Sequence, residues 1–167
     1  MEKSFLLTKD IFTQAVEIVT PSIEKMISLG IIHKSDIYIS APDPTKPYGN
    51  CSYADYADIE LFYTSFGSPK IKTLAVARSK AEVVWRTGYD SLYVQQFMPH
   101  LLMKGDTKWG GGIVLNGIIV AVSGLEEYYD IFVARSIAAA CHALIARDMR
   151  EIMASPVFTF MGVENPS

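Results

Sequence analysis

The sequence predicts an α/β (α+β) protein in which helices pack on an antiparallel sheet of about five strands. Apolar residues recur at helical spacing in three long segments, and short alternating segments between them are typical of strands. In addition, Asn116-Gly117 lies between two apolar runs. Asn-Gly is the favoured two-residue turn of a β-hairpin, because both positions adopt positive φ angles. The runs 113–115 and 118–122 are therefore expected to form adjacent antiparallel strands.

The composition indicates one globular domain over residues 1–167. Half of the 167 residues are hydrophobic and a fifth are charged, which excludes intrinsic disorder and a disulfide scaffold. Fifteen Lys and Arg stand against 18 Asp and Glu, giving a net charge of −3. Nucleic-acid-binding domains usually carry a basic surplus, so nucleic acid is not an expected partner.

The sequence is typical of a cytoplasmic protein. Residues 1–7 do not continue into the apolar core of a signal peptide, and the longest apolar run, 118–122, is too short to span a bilayer. Cys51 and Cys141 have no metal-ligand or CxxC spacing. We therefore expect cytoplasmic free thiols, no membrane partner and no metal site.

The first part of the chain predicts a helix followed by two strands. A helical pattern begins at Thr8 and stops at Gly30, and Pro21 within it leaves open one kinked helix or two short ones. Residues 36–41 and 59–64 have the pattern of strands. Between them, residues 42–50 contain three prolines and are expected to form a loop.

Two further helices are predicted downstream. The first has Ser68 as a cap, Pro69 at its first position and Gly88 after its last turn. The last helix extends from about 127 to 154, and a short C-terminal tail begins at residue 156. Small residues on one face of this helix, Ala139 and Ala146 among them, allow a neighbouring subunit to approach closely. We therefore expect a homo-oligomer, at least a dimer.

The common catalytic motifs are absent from the sequence. It contains no GxxxxGK[ST], no GxSxG and no HExxH, and His33, His100 and His142 are scattered. The triple glycine Gly110-Gly111-Gly112 precedes a strand, so it is not a dinucleotide-binding motif. It predicts either close backbone packing at the start of that strand or a backbone N–H site for an anion or carboxylate.

Short motifs in the last third of the chain follow a recognisable order. Gly111-Gly112-Ile113 precedes the Asn116-Gly117 turn, Val122-Ser123-Gly124 ends the next strand, and Asp130 and Ala134 follow in the helix.

A further motif lies upstream, in the predicted second helix. Ala77-Arg78-Ser79-Lys80-Ala81 has the form Ala-Arg-x-Lys-Ala, and Thr87-Gly88 follows at its end. Taken together, the motifs resemble those of the GlcG/HbpS-like family, also called the haem-degrading domain, which includes the C-terminal domain of PduO. The expected arrangement is profilin-like, with three layers. The resemblance implies a small-molecule-binding protein; the cofactor is unknown, and haem or another tetrapyrrole is one candidate.

Several ionisable residues are candidates for chemistry. Lys80 lies among valines on the helical wheel, where burial would lower its pKa and make it a candidate base. Asp130 near the start of the last helix, beside Ser123, is a candidate for proton transfer. The alternative roles are structural: a lysine stem that covers apolar surface, and an acid that stabilises the start of a helix.

The expected ligand site lies between the triple glycine, the strand end at Ser123-Gly124 and the helix that carries Arg78 and Lys80. Arg78 would hold a carboxylate, and His100 and Trp109 are further candidate ligand-binding residues. Three functions remain open: binding of a small molecule, a metal-independent isomerase- or lyase-type enzyme acting on a small organic acid, and an oligomeric accessory protein.

Overall fold

Four α-helices and a four-stranded antiparallel sheet form the described part of the protein, in a computed structural model that describes residues 3–49, 55–156 and 162. The elements in chain order are α1 (Lys9–Ser28), β1 (Ile37–Pro42), β2 (Glu60–Phe66), α2 (Ile71–Thr87), α3 (Ser91–Phe97), β3 (Gly112–Leu115), β4 (Ile118–Ser123) and α4 (Glu127–Ala154). The α+β class is confirmed. The sheet has four described strands where about five were expected: the four segments with strand patterns form strands, and no other described segment adds a fifth.

The predicted hairpin is present. Asn116 and Gly117 have φ angles of 48° and 82°, as a type I′ turn requires, and β3 pairs with β4 on either side of the turn. The strand order is β2-β1-β4-β3, and every neighbouring pair is antiparallel.

Helices cover both faces of the sheet. Side chains alternate between the faces of a strand, and in β4 Val120 and Val122 belong to the core that packs against α1 and α4. Ala121 points the other way and packs against Ala81 and Trp85 of α2. The structure therefore has the three predicted layers.

Helix α1 is a single helix that passes through Pro21. The Thr8 hydroxyl accepts a hydrogen bond from Ile11 N and caps the start of the helix. Helix α2 begins at Ile71, two residues after the predicted start at Pro69, and Gly88 ends it with a φ of 77°.

Helix α4 extends over 28 residues, as predicted. Its length and composition would allow it to cross a membrane, but a core helix passes the same test, and its first half packs against α1, β3 and β4. Cys141 is buried with a free thiol.

Two predicted segments are described only in part. Pro42 is the last residue of β1, and the loop after it is described as far as Gly49. Asn50 and Cys51 lie outside the described residues, as do positions 157–161 and 163–167 of the tail.

Candidate functional site

A buried ion pair joins the two outer layers. Nζ of Lys80, on α2, lies 2.9 Å from Oδ2 of Asp130, on α4, and also donates a hydrogen bond to Val122 O at 2.9 Å. Lys80 is 1% exposed and Asp130 is 2% exposed. The other carboxylate oxygen of Asp130 accepts a hydrogen bond from Leu125 N at 3.0 Å. The structure thus brings together Lys80 and Asp130, the two residues that the sequence indicated as candidates for proton transfer, near the end of β4.

The triple glycine makes room for this pair. Gly111 has a φ of 118°, and a Cβ there would lie 2.9 Å from the Lys80 Nζ and 2.7 Å from Val122 O. A Cβ on Gly112 would lie 2.5 Å from the carbonyl oxygen of Lys80. The N–H of Gly110 does bind a carboxylate, but it is the protein's own Glu127, at 2.6 Å. The geometry thus supports close packing as the role of Gly111 and Gly112.

Burial shifts the pKa of both partners. Desolvation raises the pKa of Asp130 to about 6, against the opposing effect of the Lys80 charge. Desolvation also lowers the pKa of Lys80, although Asp130 favours its charged form. An acid that titrates near neutral pH beside an amine is a suitable group for proton transfer.

A pocket of about 420 Å³ lies beside the pair, at the N-terminal ends of α2 and α4. We call it the charged pocket, because four lysines and three acidic residues line it. Its lining residues are Lys34, Lys70, Lys72, Thr73, Val76, Lys80, Trp109, Ser123, Gly124, Leu125, Glu126, Glu127 and Asp130. Five residues expected at a site are therefore brought together: Lys80, Asp130, Ser123, Gly124 and Trp109.

The mouth of the charged pocket favours anions. Lys34, Lys70 and Lys72 are exposed and form no ion pair with a described residue. Lys70 and Glu126 are the N-cap residues of α2 and α4, and neither side chain caps its helix. Two helix N-termini without a side-chain acceptor therefore border the pocket, and such ends attract negative charge.

Ser123 provides a polar group inside the pocket. It is only 6% exposed, and its hydroxyl forms no hydrogen bond with another described residue. Because Ser123 lines the pocket, its hydroxyl is accessible to a ligand. In the pocket, this hydroxyl can form a hydrogen bond with a ligand in place of water.

Arg78 and His100 lie away from the charged pocket. Nε and Nη2 of Arg78 bind the Glu60 carboxylate at 3.0 and 2.8 Å, on the wall of another pocket, of about 340 Å³. Glu60 also accepts a hydrogen bond from the Ser40 hydroxyl at 2.7 Å, and Ser40 lies 2.8 Å from the hydroxyl of Tyr56. His100 is exposed in the short 3-10 turn Pro99–Leu101.

Sequence reasoning did not single out the three lysines at the pocket mouth. Lys70 and Lys72 flank the start of α2, and lysines at the start of a helix were a sequence signal of an anion site. Lys34 lies in a loop whose sequence does not indicate such a site. Among residues 3–49, 55–156 and 162, no group of three His, Cys, Asp or Glu side chains could hold a metal ion.

Comparisons with known proteins identify the fold. No family model and no curated protein matches the sequence. Among solved structures, the Klebsiella pneumoniae protein ORFY, assigned to the family model DUF336, is 15% identical with a TM-score of 0.56, covering 86% of this chain and 93% of its own. A double mutant of Streptomyces reticuli HbpS is 14% identical with a TM-score of 0.56, covering 83% and 89%.

The Ybr137w protein is similar to the same degree, at 15% identity and a TM-score of 0.56, covering 86% of this chain and 81% of its own. At these identities the likeness concerns the fold. The GlcG/HbpS-like fold that the motifs predicted is therefore confirmed.

Proposed function

We propose that the protein binds small molecules in the manner of the GlcG/HbpS-like proteins and that its ligand is a small carboxylate held in the charged pocket. The observation that carries the proposal is Ser123: the residue is 6% exposed, its hydroxyl has no partner among the described residues, and it lines the pocket. The uncapped N-termini of α2 and α4 border the same pocket.

Each part of the pocket has a separate role in this proposal. The helix N-termini and the Ser123 hydroxyl donate hydrogen bonds to the carboxylate. Lys34, Lys70 and Lys72 attract the anion to the mouth, an effect that salt weakens. The Lys80–Asp130 pair forms the buried end of the pocket and keeps it polar.

Titration with propionate, followed by amide chemical shifts in NMR spectra, tests this proposal. The amide signals of Ser123, Gly124 and Glu127 are expected to move together. Ser123→Ala, which removes one hydroxyl with little change of shape, should weaken binding by about ten-fold or more, because a hydrogen bond to a charged group is lost.

A charge reversal provides the matched control. Lys72→Glu should weaken propionate binding by about ten-fold at low salt, whereas Lys9→Glu makes the same change of charge on α1, away from the charged pocket, and should have little effect. Shifts that map to another surface, or equal effects of both substitutions, would contradict the proposal.

A second candidate function is a metal-independent enzyme that transfers a proton on a small organic acid. It is favoured by Asp130, whose pKa is raised to about 6 and which lines the pocket together with Lys80 and Ser123. In this proposal Ser123 and the helix N-termini hold the carboxylate, because Arg78 is occupied by Glu60. Exchange of the C3 hydrogens of 2-oxobutyrate in heavy water, accelerated by the protein but not by Asp130→Asn, is the expected result.

Haem as the ligand is supported only by the resemblance. None of the described residues that line the charged pocket is a histidine, cysteine or methionine, so these residues offer haem none of its common axial ligands. Titration with haem provides the test, since a Soret band that shifts on addition of the protein would support haem binding elsewhere on the chain.

A further inference from the structure

We infer that the carboxylate ligand also carries a planar apolar group, an inference that rests on the proposed function. A second pocket, of about 230 Å³, adjoins the charged pocket, and Lys34, Leu125 and Glu126 line both. We call it the aromatic pocket. Its other lining residues are Ile31, Ile32, His33, Tyr128 and Tyr129.

The aromatic pocket contains apolar side chains that are exposed to solvent. Tyr128 is 64% exposed and Ile31 is 43% exposed. The rings of Tyr128 and Tyr129 meet edge to face, with centroids 4.5 Å apart. Planar aromatic groups pack favourably on such surfaces through offset or edge contacts, so a ring is the chemical group that this pocket fits best.

The charged side chains are distributed unevenly between the charged pocket and the aromatic pocket. Lys34 and Glu126, shared by both pockets, balance each other. Apart from the Lys80–Asp130 pair, Lys70, Lys72 and Glu127 line only the charged pocket, which leaves that pocket with a surplus of one positive charge. A negatively charged group of the ligand is therefore attracted to the charged pocket, whereas the aromatic pocket has no surplus of positive charge from lysines to attract it. The arrangement fits a monocarboxylate whose anionic end lies beside Ser123 and whose ring lies beside Tyr128.

The test compares propionate with benzoate, phenylacetate, 3-phenylpropionate and 4-phenylbutyrate, which vary the distance from ring to carboxylate. At least one arylated acid is expected to bind about ten-fold more tightly than propionate, since burial of a phenyl group contributes that much. Tyr128→Ala should reduce this ratio to near one. Tyr89→Ala, which removes an exposed ring outside both pockets, should leave the ratio unchanged.

The outcomes separate this inference from the proposed function. If propionate and all four arylated acids bind equally, the inference is overturned and carboxylate binding stands. If an arylated acid binds more tightly and Tyr128→Ala leaves its advantage intact, the ring lies elsewhere and the inference is again overturned. If none of the five acids binds, both proposals fail.

Discussion

Lys80 and Asp130 contact each other at 2.9 Å although their helices, α2 and α4, pack on opposite faces of the sheet. The contact passes the start of β3, where Gly111 leaves room for the lysine. One ion pair therefore ties together three layers and also forms the wall of the charged pocket. Experiments must therefore distinguish the contribution of this pair to the stability of the fold from any role in proton transfer.

Removal of one partner should destabilise the fold strongly. Lys80→Met leaves the carboxylate of Asp130 buried without its cation, which is expected to cost about 3–5 kcal/mol of unfolding free energy. The double variant Lys80→Met with Asp130→Asn should recover a large part of this loss, because no buried charge remains. Urea unfolding measures all of these variants.

The exposed pair Arg147–Asp148 serves as a control for that experiment. Arg147→Met should change the free energy of unfolding by less than about 1 kcal/mol, since surface ion pairs contribute little. A double variant no more stable than Lys80→Met would show that the pair does not act through its buried charges.

The stability should depend on pH through Asp130. Its pKa in the folded protein is about 6, raised by burial from an ordinary value of 3.8. Between these pH values the folded protein binds more protons than the unfolded chain, so the free energy of unfolding attributable to Asp130 falls as the pH rises. Compared with Asp130→Asn, the natural protein should lose stability from pH 4 to pH 6. Parallel pH profiles of the two proteins would contradict the raised pKa.

Two glycines with positive φ should differ in their tolerance of a side chain. Gly111→Ala strains a φ of 118° and pushes Cβ against Val122 O and the Lys80–Asp130 pair. Gly117→Ala strains a φ of 82°, but nothing lies within 4 Å of its Cβ, so only the backbone cost of about 1–2 kcal/mol is expected. Thermal and urea unfolding should show a larger loss for Gly111→Ala. Equal losses would mean that the structure absorbs the crowding around Lys80.

Local signals in the sequence account for most of the fold. The Asn116-Gly117 turn and the helix end at Gly88 each follow from backbone preferences of one or two residues, and both are present. The predicted cap at Ser68 is wrong, because α2 begins at Ile71 with Lys70 as its N-cap. The number of strands was not predicted in the same way: four strand patterns are visible in the sequence and form the sheet, whereas the expected total of about five did not rest on a fifth pattern.

Only those parts of the site that are formed by residues close together in the sequence could be predicted. The hairpin itself places Gly111 beside Val122, and Val122 N donates a hydrogen bond to Gly111 O at 2.9 Å. By contrast, the partner of Arg78 is Glu60, on a strand across the sheet, and no local pattern reports such a contact. The lysines at the pocket mouth come together for the same reason, through tertiary structure.

The protein should be a homo-oligomer, because α4 leaves apolar surface exposed from its middle to its C-terminal end. Ala139 and Ala146 are exposed, and Met153 is 73% exposed. Such surface on a helix is commonly covered by a partner. Light scattering should give at least a dimer. Ala146→Glu, which keeps a good helix former but places a charge at the interface, should yield monomers, whereas Lys25→Glu on α1 should not. A monomer at high micromolar concentration would overturn the prediction.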